Sequence, residues 1–386
     1  MNCFLPRTVV VLGLVSMLND TASEMITPLL PLFLTATLGA GPAIVGLVEG
    51  VAEAIASILK LVSGWLADRG WDIKKLVVGG YTVSNTARPL IGFALCWGWV
   101  LMLRFLDRVG KGLRTAPRDA LIAASTDEHG RGHAFGFQRA LDHTGATLGP
   151  LLAFGLLRWG MTMEHVFMAS VIPGTALVLL LVLGLKIPPD AKPAEPSGRI
   201  RWKGLDARVK GLVLASGGLA LATAPEAFLV LWANQGGIIV TWVPLLWAAA
   251  HGVKALVSGP AGALSDRLGR LRVVSIGWTA RVLLLSAFAW LPDDGITVWA
   301  LFFGYAAALA FTEGAERALI GDFAPPEQKA TVFGIYHLLS GLMALPGALL
   351  FGVLWQWVSM SSAFLTAAVL TAISAMTLRM MARRNS

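Results

Sequence analysis

The chain has 386 residues, 56% of them hydrophobic and only 14% charged, with a formal net charge of +8 and a mean hydropathy of +0.69. Soluble domains carry about 25% charged residues, so a single water-soluble core is excluded and lipid is the better solvent for these side chains. The apolar runs are long and do not alternate, which excludes a membrane β-barrel and leaves helices of about 20 residues each, their backbone groups satisfied internally.

Twelve such runs follow one another. The first, about 8–36, meets Asn19, Asp20 and Glu24 early and reads as a membrane helix rather than a cleavable signal. Asp20 and Glu24 are four apart and share a face, as do Glu49 and Glu53 in the second run (42–67), with Lys60 on the same side. The third run (75–95) holds Arg88. The fourth (98–124) carries a charged stripe of Arg104, Asp107, Arg108, Lys111, Arg114, Arg118 and Asp119. The fifth (132–158) contains Arg139, Asp142 and His143, and the sixth covers 164–186. Pro188, Pro189, Pro193 and Pro196, then Arg199, Arg201 and Lys203, mark a linker that cannot enter lipid. Six more runs follow, near 208–234, 239–265, 272–291, 297–321, 329–356 and 361–380. They are sparser in charge: Glu226, Lys254, Arg281, Glu313, Glu316, Arg317 and His337. The expected fold is therefore an all-α membrane protein with 12 transmembrane helices. A six-helix bundle (1–186), a cytoplasmic linker (187–207) and a second six-helix bundle (208–386) compose it.

Alternate loops near 37–41, 96–97, 160–163, 235–238, 292–296 and 357–360 hold no Lys or Arg, whereas the others are basic. The positive-inside rule then places both termini in the cytoplasm and the chain in the inner membrane. The same rule accounts for the net positive charge, so no nucleic-acid partner is expected. Cys3 and Cys96 fall toward opposite sides, so no disulfide is expected, and no Cys/His cluster has metal-site spacing.

The two halves repeat. Asp68 in GWLADRG and Asp266 in GALSDRLGR are 198 positions apart, and the same offset aligns 117–152 with 315–350 without a gap, including Ala120-Leu121-Ile122 with Ala318-Leu319-Ile320. Some transporter folds are built from such repeats, with the substrate site at their interface.

On these residues the chain resembles the major facilitator superfamily over nearly its whole length. The loop signature between helices two and three of each half is Gly64, Asp68, Arg69, Lys74 and Lys75 in the first copy. In the second it is Gly262, Asp266, Arg267, Gly269, Arg270 and Arg272. The first copy departs, with Trp71-Asp72 where the second has Gly269-Arg270. RFLDRVGKG (104–112) is similar to the family's Arg signature, with Arg108 in a place that Gly usually holds. MITPLLPLF (25–33) is similar to a further signature, with Pro28 and Pro31. GATLGPLLAFG (145–155), with Gly145, Gly149 and Pro150 as packing and bending residues, is similar to the signature of exporting antiporters. The resemblance implies that Gly64, Asp68, Arg69, Gly262, Asp266 and Arg267 latch one transport state.

Each ionisable residue within a span costs about 2.5–3.5 kcal/mol on insertion scales, so these side chains should face the protein interior and mark function. Crowded carboxylates cannot all ionise cheaply, which makes Asp20, Glu24, Glu49 and Glu53 the expected proton-coupling acids. Arg104, Arg88, Asp142, His143, Glu226 and Glu313 are the expected substrate contacts, and Trp232, Trp242 and Trp247 are candidate lining residues. No nucleotide, metalloprotease or nucleophile-elbow motif is present, so an enzyme or an ATP-driven pump is not expected. The expected function is a secondary transporter working by alternating access. It would exchange protons for a small polar or anionic organic molecule, export being favoured over proton symport of an organic anion or lysolipid facilitation, with a membrane-embedded enzyme or sensor the remote alternative. Its expected partners are that small molecule and the lipid bilayer, with no cofactor beyond protons and a monomeric state.

Overall fold

The computed structural model describes residues 5–69, 71–126, 131–185, 207–291, 295–323 and 329–383. Most of the linker, Cys3 and the side chain of Asp68 lie outside the described residues. The helices form twelve passes. The first bundle contains α1 (Arg7–Glu24), α2 (Pro42–Asp68), α3 (Ile73–Leu90), α4 (Trp97–Ala124), α5 (Arg131–Arg158) and α6 (Met163–Ala169 with Val171–Gly184). The second contains α7 (Ala207–Ala222 with Glu226–Gln235), α8 (Val243–Leu268), α9 (Arg270–Trp290), α10 (Gly295–Phe323), α11 (Lys329–Trp357) and α12 (Met360–Arg383). Among the described residues, eight of the twelve are long and apolar enough to cross a membrane by length and composition; α1, α3, α4 and α5 are not among them. Those four carry most of the interior charge. Their polar side chains must be satisfied by one another, since lipid offers no partner.

The chain divides into two compact units, Met1–Phe33 with Ile55–Pro196, and Leu34–Ala54 with Ser197–Ser386. The division falls inside α2, so its first half counts with the second unit. There Gly46 and Gly50 lie against the backbone of Ala348 and Leu345 of α11. In the first unit α2 continues onto α4: Ser63 Oγ donates to the carbonyl of Gly112 at 2.8 Å, and Gly64 faces Ala116.

Within each unit the same helix pairs pack: α1 on α5 and α7 on α11, α3 on α4 and α9 on α10, α1 on α6 and α7 on α12. The close approaches repeat as well. A Cβ on Gly13 would strike Leu141 at 2.8 Å, and one on Gly217 would strike Leu339 at the same distance. A Cβ on Gly149 would lie 2.5 Å from the carbonyl oxygen of Thr21, and one on Gly347 2.5 Å from that of Leu221. Leu141 and Leu339, like Gly149 and Gly347, are separated by the offset of 198. Small residues here let backbones touch, which drives helix association where lipid tails give no hydrophobic gain. Gly145 likewise faces the carbonyl of Met17. Pro150 is buried within α5 and Pro346 lies within α11.

Both opening helices are interrupted. α1 ends at Glu24, resumes for one turn at Leu30–Leu32 and widens into a π turn at Phe33–Thr37. α7 ends its first piece at Ala222 and restarts at Glu226 behind Pro225. Glu24 and Ala222 are again 198 apart. Pro28, Pro31 and Pro225 lack the N–H needed to continue the ladder.

Candidate functional site

The first unit holds a buried polar network built on α1, α3, α4 and α5. At its centre the fully buried Asp107 meets Arg88 Nε at 2.9 Å, Arg104 Nη1 at 3.6 Å and Arg108 Nε at 3.6 Å. Arg88 reaches from α3 and also donates through Nη1 to the backbone carbonyl (3.2 Å) and Oδ1 (3.0 Å) of Asn19 and to Asn85 Oδ1 (3.1 Å). Asn19 passes the contact on, donating to Asp20 Oδ1 at 2.9 Å. The i, i+3 and i+4 spacing of Arg104, Asp107 and Arg108 keeps the α4 charges on one face. Ser84 Oγ donates to the carbonyl of Asp107 at 2.8 Å and accepts from Arg114 at 2.7 Å.

A neighbouring network joins α1, α4 and α5. Ser16 Oγ accepts from Arg118 (3.1 Å) and Gln138 (3.2 Å), and Gln138 also donates to Asp142 Oδ2 at 2.7 Å. Arg114 stacks over the Tyr81 ring at 4.4 Å.

These placements sort the sequence expectations. Arg88 is buried in contacts that reach from α3 to α1 and α4, Arg104 is buried against Asp107 of its own helix, and Asp142 is buried beside Gln138. His143, the adjacent residue on α5, is exposed. Asp20, Glu24 and Glu49 are half-buried and Glu53 is exposed. Asp20 and Glu24 belong to the first unit, Glu49 and Glu53 to the second. Among the tryptophans Trp232 is fully buried against Phe288 (4.6 Å between rings), Trp242 is 40% exposed, and Trp247 lines a pocket. Trp232 thus serves packing.

The second unit contains a cavity of about 270 Å³, lined by Glu226, Lys254, Arg281, Thr312, Glu313 and Glu316, among others. It opens beside the interruption in α7. Glu226, the first residue after the break, is ion-paired with Lys254 of α8. Glu313 accepts from Arg317 at 2.6 Å, and Glu316 accepts from the Trp278 indole at 2.6 Å. A smaller aromatic pocket shares Glu226, Lys254 and Leu309 with it and adds Trp247, Phe302 and Tyr305. Phe302 and Tyr305 stand 198 positions after Arg104 and Asp107. The position that is ionic in one half is aromatic in the other.

At the end of α8 the turn into α9 is a single glycine, Gly269, at φ +91°, a conformation that other residues rarely adopt. Arg270, opening α9, pairs with Asp266 at 3.7 Å and with Asp322 of α10, and donates to the carbonyl of Ala318 at 3.1 Å. Asp266 and Arg267 are exposed, and Gly262 has open space around it. In the first copy Asp72 caps α3, accepting from the N–H groups of Lys74 (2.9 Å) and Lys75 (3.2 Å), and Arg69 stacks over Trp65 at 3.9 Å. The departure at Trp71-Asp72 thus replaces an ion-paired joint with a capped one. Arg270→Ala should change thermal stability by under about 1 kcal/mol, because its pairs are partly exposed. It should slow transport roughly fivefold, the effect of ~1 kcal/mol on a two-state equilibrium. An unchanged transport rate would make this joint an anchor only.

The Major Facilitator Superfamily profile matches residues 12–259 and again 249–385. The chain belongs to the Major Facilitator Superfamily. A curated member, an uncharacterised MFS-type transporter of Methanocaldococcus jannaschii, is 32% identical over 381 residues, 97% of this chain and 94% of that protein. The multidrug resistance protein MdtG of Klebsiella pneumoniae is 27% identical, with 69% of this chain and 68% of that protein aligned. Among solved structures, an inward-facing, occupied bacterial homologue of the human lysosomal transporter Spinster superposes with a TM-score of 0.79. That match is at 17% identity over 97% of this chain and 96% of that one. The protein is thus a multi-pass membrane transporter of the major facilitator fold, not an enzyme. Membership also accounts for the twelve passes and the doubled loop signature.

The sequence reading missed Thr312 of the cavity and Tyr305 of the smaller pocket, and it named Arg281 and Asp107 only as interior charges. The i, i+3 and i+4 clustering of Arg104, Asp107 and Arg108 was a usable signal for the first network. Nothing local in the sequence marks Thr312 or Tyr305.

Proposed function

We propose that this transporter is a proton-coupled antiporter of the inner membrane, both termini cytoplasmic, that exports a small polar or anionic organic molecule by alternating access. The observation that carries the reading is the interruption of α1 and α7 at equivalent positions, each break flanked by acids: Asp20 and Glu24 in one unit, Glu226 in the other. Paired interruptions in repeated halves are where transporters place substrate and coupling-ion sites. A carboxylate in such low-dielectric surroundings takes up and releases a proton as its exposure changes. Export is supported by the likeness to MdtG, whose name describes multidrug resistance. It is supported also by the α5 signature, whose Gly145 and Gly149 face the α1 backbone beside Asp20 and Glu24.

The test uses proteoliposomes and the anion that accumulates most in cells lacking the protein. Antiport loads vesicles whose lumen is acidic; symport loads those whose lumen is alkaline. Asp20→Asn or Glu24→Gln should abolish loading driven by the pH gradient while sparing counterflow exchange at equal pH. Gradient-driven loading by both variants, or loading of alkaline vesicles by the unaltered protein, would overturn the proposal.

A further inference from the structure

Arg281 sits midway along α9 with a side chain only 3% exposed, and it lines the 270 Å³ cavity of the second unit. Among the described residues its hydrogen bond runs from Nη2 to Thr223 Oγ1 at 2.8 Å, its guanidinium carbon lies 6.0 Å from the Tyr305 ring centroid, and its Nε has no hydrogen-bond partner. Among the described residues no carboxylate comes within 4.0 Å of the guanidinium. The acids of the same cavity are engaged elsewhere: Glu226 with Lys254, Glu313 with Arg317, Glu316 with Trp278. A buried charge is retained at a cost unless paired. A guanidinium offers a planar fork of donors that matches a carboxylate in two parallel bonds.

We propose that Arg281 is the contact for the carboxylate of the transported molecule, which makes the substrate a small organic carboxylate held within the second unit. This deepens the transport reading and rests on it. The cavity of about 270 Å³ has room for a compact mono- or dicarboxylate. The hydrogen bond of Arg281 to Thr223 gives the binding event a readout. Thr223 lies in the break of α7, and its hydroxyl donates in turn to the carbonyl of Leu219 at 2.7 Å, in the last turn of the first helical piece. An arriving carboxylate competes for the same guanidinium and so acts directly on the joint of the interrupted helix.

The experiment follows thermal unfolding of the full chain in detergent at fixed pH and ionic strength. The titrants are succinate, benzoate, inorganic phosphate and benzamide, the last a neutral isostere of benzoate. Succinate or benzoate should raise the Tm saturably and benzamide should not. Arg281→Lys keeps the charge but loses the fork, and should weaken the midpoint about tenfold or more. Leu309→Phe narrows the cavity with Arg281 untouched, and should remove the shift; it also decides the matter where an Arg281 variant does not fold. Stabilisation by phosphate alone, by neither carboxylate, or equally in Arg281→Lys and Leu309→Phe would overturn the assignment. No pH gradient enters this measurement. Its failure therefore leaves proton-coupled export standing, and a failure of coupling leaves the binding result standing.

Discussion

Asp107→Asn should cost the protein about 3–5 kcal/mol, the scale for removing one partner of a buried ionic cluster. Folded proteins are stable by only about 5–15 kcal/mol, so most of the margin would go. The reason lies in the count of charges. Arg88, Arg104 and Arg108 converge within 3.6 Å of this carboxylate on side chains almost wholly removed from solvent. Asparagine keeps the volume but leaves the guanidiniums without the negative charge they converge on. Thermal unfolding and the yield of monodisperse protein in detergent measure the effect. Asp119→Asn is the comparison: that carboxylate pairs with Arg118 at 2.8 Å but is 43% exposed, and its loss should cost no more than about 1 kcal/mol. Equal behaviour of the two variants would show that the buried cluster does not hold the bundle together.

The second large effect is expected at the repeated helix crossings. Gly149→Val and Gly347→Val each push a branched side chain into the backbone of the partner helix, at the carbonyl oxygens of Thr21 and Leu221. Backbone cannot rotate away as a side chain can, so α1 must part from α5 and α7 from α11. Overpacking costs about 1–3 kcal/mol or more, and displacement of the interrupted helices should also abolish transport. Gly136 and Gly334 provide the control, being related by the same offset of 198 but facing open space. Alanine there should be neutral or stabilise by up to about 1 kcal/mol through helix propensity. If valine at Gly149 and Gly347 were as mild as alanine at Gly136 and Gly334, the crossings would not be the close contacts that the geometry describes.

The candidate site was only partly legible. The interior acids and bases announced themselves, because a charge in an apolar run is conspicuous whatever surrounds it. What each one meets did not. Arg104 and Arg281 are both arginines within membrane spans, Arg104 opening a charged stripe and Arg281 alone in an apolar stretch, but neither context says what the guanidinium meets. One is folded against Asp107, three residues further along its own helix, and the other faces a cavity whose acids have other partners. Thr312 and Tyr305 line cavities without any local mark, since Thr and Tyr are ordinary in membrane helices.

The sequence by itself determined the helical class, the number of passes and the duplication. Each of these depends on composition and spacing along the chain, through the cost of exposing polar groups to lipid and the length needed to cross it. Tertiary structure decided which helix faces touch, and with that which charges are spent on holding helices together and which face a space that a ligand could fill. Pairing of that kind is a property of distances of a few ångströms between residues far apart in sequence: Arg88 with Asn19, Arg281 with Thr223. The 198-residue register preserved the crossings at Gly149 and Gly347, where backbone contact tolerates no side chain. It let Asp107 and Tyr305 diverge, where each half buries different neighbours.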